Sequence, residues 1–281
     1  MSNLIYHENA ASLSYNLDMI PNTDLVAITQ RNVAIVEAMI RNDSAYIRSN
    51  QTSASIQYKR GKGHSTKLTW KERVAEDAPN IKYGGSTAFW MDKLKNYLLF
   101  NNGDPLYSYE DVMYYTVSAI DRENSTHLNA DGVGREEITE RLIAINKAQL
   151  VSFLKTPNTQ SSLYELIDII SETTNPTQKD YKPRTNYSFA TKFCHYACFY
   201  LFDGELEQDN FSIFDNVLEK ALSRYIEKYK LNYTVTDFKK YDKYLGVIEA
   251  VICESERKGH GDEVSRNGLD HLLWYYYKGR I

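Results

Sequence analysis

Asn186-Tyr-Ser-Phe-Ala-Thr-Lys-Phe-Cys-His-Tyr-Ala-Cys-Phe-Tyr-Leu-Phe202 reads as one apolar helix, and after a polar interruption Phe211-Ser-Ile-Phe-Asp-Asn-Val-Leu-Glu-Lys-Ala-Leu222 opens the next. The pair sets a lysine, Lys192, near the start of one helix and an aspartate, Asp215, near the start of the other. In a first turn the helix macrodipole lowers the cost of losing an ammonium proton and stabilises negative charge. A primary amine and a carboxylate at adjacent helix N-termini can serve as nucleophile and as anionic partner of a developing cation. That is the equipment for breaking an N-glycosidic bond.

Working outward, the periodicity predicts further helices. On the N-terminal side they cover Asp24 to Arg41, Thr87 to Leu99, Tyr109 to Ile120, Arg135 to Leu154 and Ser161 to Ser171. On the C-terminal side they cover Phe189 to Phe202, Ile213 to Lys230, Phe238 to Glu256 and Arg266 to Tyr277. Ser49 to Asn80 is polar and reads as a loop or a pair of short strands. Strand-like alternation is scarce elsewhere, so the expected fold is mostly α, without internal repeats. Residues 1–85 are expected to form an N-terminal helical segment with a basic loop, and 86–281 the main helical body.

The 281 residues, 42% hydrophobic and 25% charged, are enough to bury a sizeable core. No run approaches the roughly 20 apolar residues that cross a bilayer, and no charged-then-apolar leader is visible, so a soluble cytoplasmic chain is expected. Three cysteines, Cys194, Cys198 and Cys253, argue against a disulfide framework. A net charge of −4 gives no global attraction to nucleic acid, and any such binding needs a local basic patch. The 23 tyrosines suit cores, wet interfaces and base stacking alike.

The local basic patch is Tyr58 to Arg73. It carries Lys59, Arg60, Lys62, Lys67, Lys71 and Arg73 against one acid, Glu72, interleaved with Gly, Tyr58 and Trp70, a pattern suited to phosphate contact and stacking or to a solvated loop. Lys179, Lys182 and Arg184 precede the apolar helix and can add backbone contacts. Gly61-Lys-Gly-His-Ser-Thr66 lacks the glycine spacing and preceding strand of a phosphate-binding P-loop, which excludes nucleotide hydrolysis. Gly132-Val-Gly134 reads as a helix-capping or phosphate-contacting turn. Cys194, His195 and Cys198, and separately His260, Asp262, Asp270 and His271, have spacings that could ligate a metal. Buried structural cysteine and a polar loop are the commoner origins of such patterns. Trp274-Tyr-Tyr-Tyr277 reads as an aromatic helix packing on the body, or as pocket lining.

The segment Tyr187 to Leu222 resembles the catalytic segment of the helix-hairpin-helix DNA glycosylases, in the branch that includes 8-oxoguanine DNA glycosylase. That family carries a Leu-Pro-Gly-Val-Gly-Thr-Lys hairpin opening one helix and a Val-Pro-Val-Asp stretch opening the next. Asn186-Tyr-Ser-Phe-Ala-Thr-Lys192 stands for the first and Phe211-Ser-Ile-Phe-Asp215 for the second. Ser188 and Ala190 replace the two hairpin glycines, and Asp203 to Asn210 lengthens the connection. The resemblance implies a two-lobed helical bundle with Lys192 as Schiff-base lysine and Asp215 as essential aspartate. Asn186, Ser188, Lys182, Arg184 and the basic patch would contact double-stranded DNA. It implies excision of a flipped-out modified or damaged base, without metal or cofactor, in repair or in anti-phage defence against modified cytosines such as glucosylated hydroxymethylcytosine. A non-catalytic DNA-binding module and a helical protein-interaction component are the alternatives.

Overall fold

The computed structural model describes residues 16–40, 68–77, 86–124, 126–128, 134–155, 162–173, 185–202, 211–260 and 264–281. Among them there is no strand, and the chain is mostly α. The helices are α1 (30–40), α2 (Trp70–Asp77), α3 (Thr87–Leu99), α4 (Tyr109–Asn124), α5 (Gly134–Ala144) and α6 (Lys147–Lys155). They continue with α7 (Ser162–Ser171), α8 (Tyr187–Leu201), α9 (Asn216–Tyr229), α10 (Tyr241–Ser255) and α11 (Arg266–Tyr277). A 3-10 helix, Val235–Lys239, leads into α10, and a π turn, Glu256–His260, follows it.

The central helix is α8. Phe189, Phe193, Cys194, Ala197 and Leu201 are all at most 1% exposed, because α3, α4, α6 and α7 pack around it. A helix apolar on all sides has no face for water and belongs in the interior. Helices α9, α10 and α11 form the neighbouring group, joined to the first through α10 against α7. Buried residues from 20–36 and from α2 through α11 make one contiguous hydrophobic core.

Three expected boundaries move, each for a local reason. Residues 24–29 are a bend and irregular chain rather than helix, with Val26 and Ile28 buried in alternation and α1 starting only after Thr29. Tyrosine hydroxyls capture this backbone: Tyr276 accepts from the Thr23 amide at 2.8 Å, Tyr277 accepts from the Val26 amide at 3.1 Å, and Tyr225 donates to the Val26 carbonyl at 2.5 Å. The expected helix over Arg135 to Leu154 is two helices. Asn146 breaks it by accepting from the Gln149 amide at 2.8 Å, an N-cap that starts α6 afresh. Within the segment expected to be loop or strand, Trp70–Asp77 is helix. Thr69 and Glu72 form a capping box, with Glu72 accepting from the Thr69 amide at 2.7 Å and the Thr69 hydroxyl accepting from the Glu72 amide at 3.3 Å.

Candidate functional site

Residues 211–215 run alongside α8 and end at the aspartate. The Thr191 hydroxyl accepts from the Phe214 amide at 3.0 Å, and His195 Nδ1 donates to the Phe211 carbonyl at 2.9 Å. From the other side Tyr241 brackets Ser212, its hydroxyl lying 2.7 Å from the amide and 3.0 Å from the carbonyl. The Tyr244 hydroxyl donates to the Ile213 carbonyl. This clamped segment ends at Asp215, whose extended backbone makes it the N-cap of α9. Its Oδ1 accepts from the Val217 and Leu218 amides at 2.9 Å each, and its Oδ2 accepts from the Trp274 indole at 2.9 Å.

Lys192 lies in the second turn of α8, one turn deeper than the first-turn position expected, and is 7% exposed. Burial pushes its amine below the ordinary lysine range. The carboxylates of Asp215 and Asp270 oppose that shift and the Lys278 ammonium reinforces it. Lys192 and Asp215 therefore share one electrostatic environment.

The third wall is α11. Asp270 and Trp274, four apart, stand on one face of the helix, and Lys278, four further on, is its C-cap. Asp270 is 4% exposed, Trp274 holds Asp215, and Lys278 Nζ sits 3.7 Å from the Trp274 ring centroid. Sequence reading placed Asp270 in a different cluster and gave Lys278 no role. The spacing of four through an aromatic helix was the signal that links them.

The metal readings dissolve in the same interior. Cys194 is fully buried, and burial raises its thiol well above the usual cysteine range. Cys198 Sγ donates to the Leu154 carbonyl at 3.4 Å and His195 is committed to Phe211. His271 lies edge-on to His195 with ring centroids 6.1 Å apart, and burial with the neighbouring ring drives its imidazole down to about 3. Asp262 falls outside the described residues. Among the described residues no group of three or more His, Cys, Asp or Glu side chains could hold a metal ion.

Of the DNA-contact candidates, Lys59, Arg60, Lys62, Lys67, Lys182 and Arg184 lie outside the described residues, as does Lys179. The two described cations of the Tyr58 to Arg73 stretch are paired within the protein. Arg73 Nε lies 3.0 Å from Asp111 Oδ1, and Lys71 Nζ lies 2.7 Å from Glu140. Asn186 is 4% exposed and turned toward the end of α7, its amide nitrogen donating to the Glu172 carbonyl at 3.4 Å. Gly134 answers to packing: a Cβ there would meet the Leu128 carbonyl oxygen at 2.3 Å.

Ser188 faces an open cleft of about 800 Å³ where the starts of α8, α9 and α10 meet the end of α7. Tyr187, Phe214, Phe238 and Tyr241 give it aromatic walls, and neither Lys192 nor Asp215 lines it. The chain matches no protein-family model, no curated protein and no solved structure.

Proposed function

We propose that this chain is a DNA glycosylase that excises a modified base, with Lys192 and Asp215 as its catalytic pair. The observation that carries the reading is their convergence: an amine whose protonation burial disfavours, within the electrostatic field of a carboxylate fixed at a helix N-terminus. In this reaction the amine, or a water it orients, attacks the anomeric carbon. The N-glycosidic bond breaks and the base leaves with the electron pair. Asp215 offers negative charge to the oxocarbenium-like transition state, and its three N–H contacts fix that charge in place before reaction. The resemblance of Tyr187 to Leu222 supports this assignment and extends it to anti-phage defence against modified cytosines, or to repair of oxidised bases.

A second reading is a non-catalytic helical DNA-binding module. It is favoured by the 7% exposure of Lys192 and by the engagement of both Asp215 oxygens in capping and in the Trp274 contact. Release of free base from unmodified, oxidised and phage-derived modified DNA separates the two. The glycosylase releases base from at least one of these, Asp215→Asn abolishes release, and borohydride trapping lost in Lys192→Ala identifies the amine as nucleophile. Folded protein that releases no base from any of them leaves the binding module.

A further inference from the structure

The cleft at the start of α8 has its own chemistry, separate from the Lys192 and Asp215 interior. At about 800 Å³ it falls within the roughly 300–1,000 Å³ range of small-molecule sites. Its walls are apolar rings from different elements. Tyr187 and Phe214 pack with centroids 5.0 Å apart, Tyr187 and Tyr241 at 6.3 Å, and Phe214 and Phe238 at 6.5 Å. Val235, 48% exposed, lines it as well. Such a lining takes a flat ring.

The polar groups among these rings are of two kinds. Asp168 from α7 and Asp242 from α10 both act on Tyr187, and Asp242 acts on Asp168. Partial burial, with the Asp242 charge behind it, pushes the Asp168 carboxyl up. The Tyr187 hydroxyl is buried and has no hydrogen-bond partner. The carboxylates of Asp168 and Asp242 in the lining can only accept, and so call for a ring edge that offers amino hydrogens. Glu219 contributes a third acceptor. Lys239 and Lys240, both exposed, supply positive charge at the same cleft.

We infer that this cleft binds a nucleotide whose base bears an exocyclic amino group, cytosine, adenine or guanine. The base stacks among Tyr187, Phe214 and Tyr241, its amino edge faces Asp168 and Asp242, and its phosphate lies at Lys239 and Lys240. Thymine fits poorly, because its carbonyl oxygens would meet the carboxylates. The site does not rest on the Lys192 and Asp215 assignment, so a chain that releases no base must still bind here.

Calorimetric titration of the full chain with dCMP, dAMP, dGMP, dTMP and deoxycytidine tests this. The expected result is saturable binding of dCMP, dAMP or dGMP, at least about tenfold weaker binding of dTMP, and weaker, less salt-sensitive binding of deoxycytidine. Asp168→Asn combined with Asp242→Asn should weaken dCMP binding at least about tenfold. Lys239→Ala with Lys240→Ala should bring dCMP down to the affinity of deoxycytidine. All four residues are exposed, so circular dichroism is expected to match wild type. Short oligo-dC and oligo-dT strands then separate the sources. Tighter binding of oligo-dC than of dCMP identifies a nucleotide within a strand, and equal or weaker binding identifies a free nucleotide. No binding of dCMP, dAMP and dGMP at millimolar concentration, equal binding of dTMP, or an unchanged affinity in the aspartate double variant overturns the inference.

Discussion

Asp215 is the residue on which fold and chemistry meet, and replacing it separates the two. In Asp215→Ala the α9 cap vanishes, because two amides lose their acceptor, and this costs about 1 kcal/mol. The Trp274 indole loses its partner in a partly buried setting, which adds about 1–3 kcal/mol. Lys192 keeps only Asp270 to offset its burial. The total is about 3 kcal/mol, a fall in Tm of about 5 °C for a chain of this size. Asp215→Asn behaves differently. Its carbonyl oxygen caps the helix as well as aspartate does, but its amide group then faces the Trp274 N–H, donor against donor. The expected loss is about 1–2 kcal/mol, and Trp274→Phe should recover part of it in the double variant. Urea denaturation with matched m values measures each step. Asp215→Ala as stable as wild type, or Asp215→Asn costing as much as Asp215→Ala, would show that the cap and the indole contact do not hold this corner. If Asp215→Asn is folded at assay temperature and inactive, the lost activity belongs to the chemistry.

Arg73→Ala strands Asp111, whose side chain is 2% exposed, and removes the contacts of Arg73 to Ser108 at 2.8 Å and to the Leu68 carbonyl at 2.7 Å. The expected loss is about 3–5 kcal/mol by urea denaturation, and a change below 1 kcal/mol would refute a structural role. His271 makes stability depend on acid. Its folded value of about 3 lies below the ordinary 6.5, so the unfolded chain binds more protons between them. The stabilisation is complete above pH 6.5 and is lost as pH falls toward 3, by up to about 1.4 kcal/mol per pH unit. Denaturation midpoints from pH 7 down to 4 should fall less steeply in His271→Phe, and identical slopes would disprove the assignment.

What could be read from the chain alone was local. The bounds of Thr87–Leu99 and Arg266–Tyr277 followed from apolar spacing and turn residues, and α7, α8 and α9 differ from expectation by a few residues at their ends. Those boundaries depend on neighbours within one or two turns, which sequence displays directly. Trp70–Asp77 was hidden because its polar composition gives weak periodicity. Its anchors, Asp111 on α4 and the Trp70 ring 5.8 Å from Tyr114, come from elsewhere in the chain. Residues 24–29 carry enough apolar spacing for a helix, yet hydroxyls about 200–250 residues away capture their backbone outside one.

The candidate site divides along the same line. Sequence by itself determined that Lys192 and Asp215 sit near the starts of consecutive helices, since the order of apolar and polar residues marks helix beginnings. Only the tertiary structure decided that Lys192 is buried, that Asp215 is held by Trp274, and that Asp270 and Lys278 complete its surroundings. The charge state of an amine depends on its solvent and on charges within a few ångströms. Here those neighbours lie on a helix that begins more than fifty residues beyond Asp215 and is brought back by packing against α9 and α10.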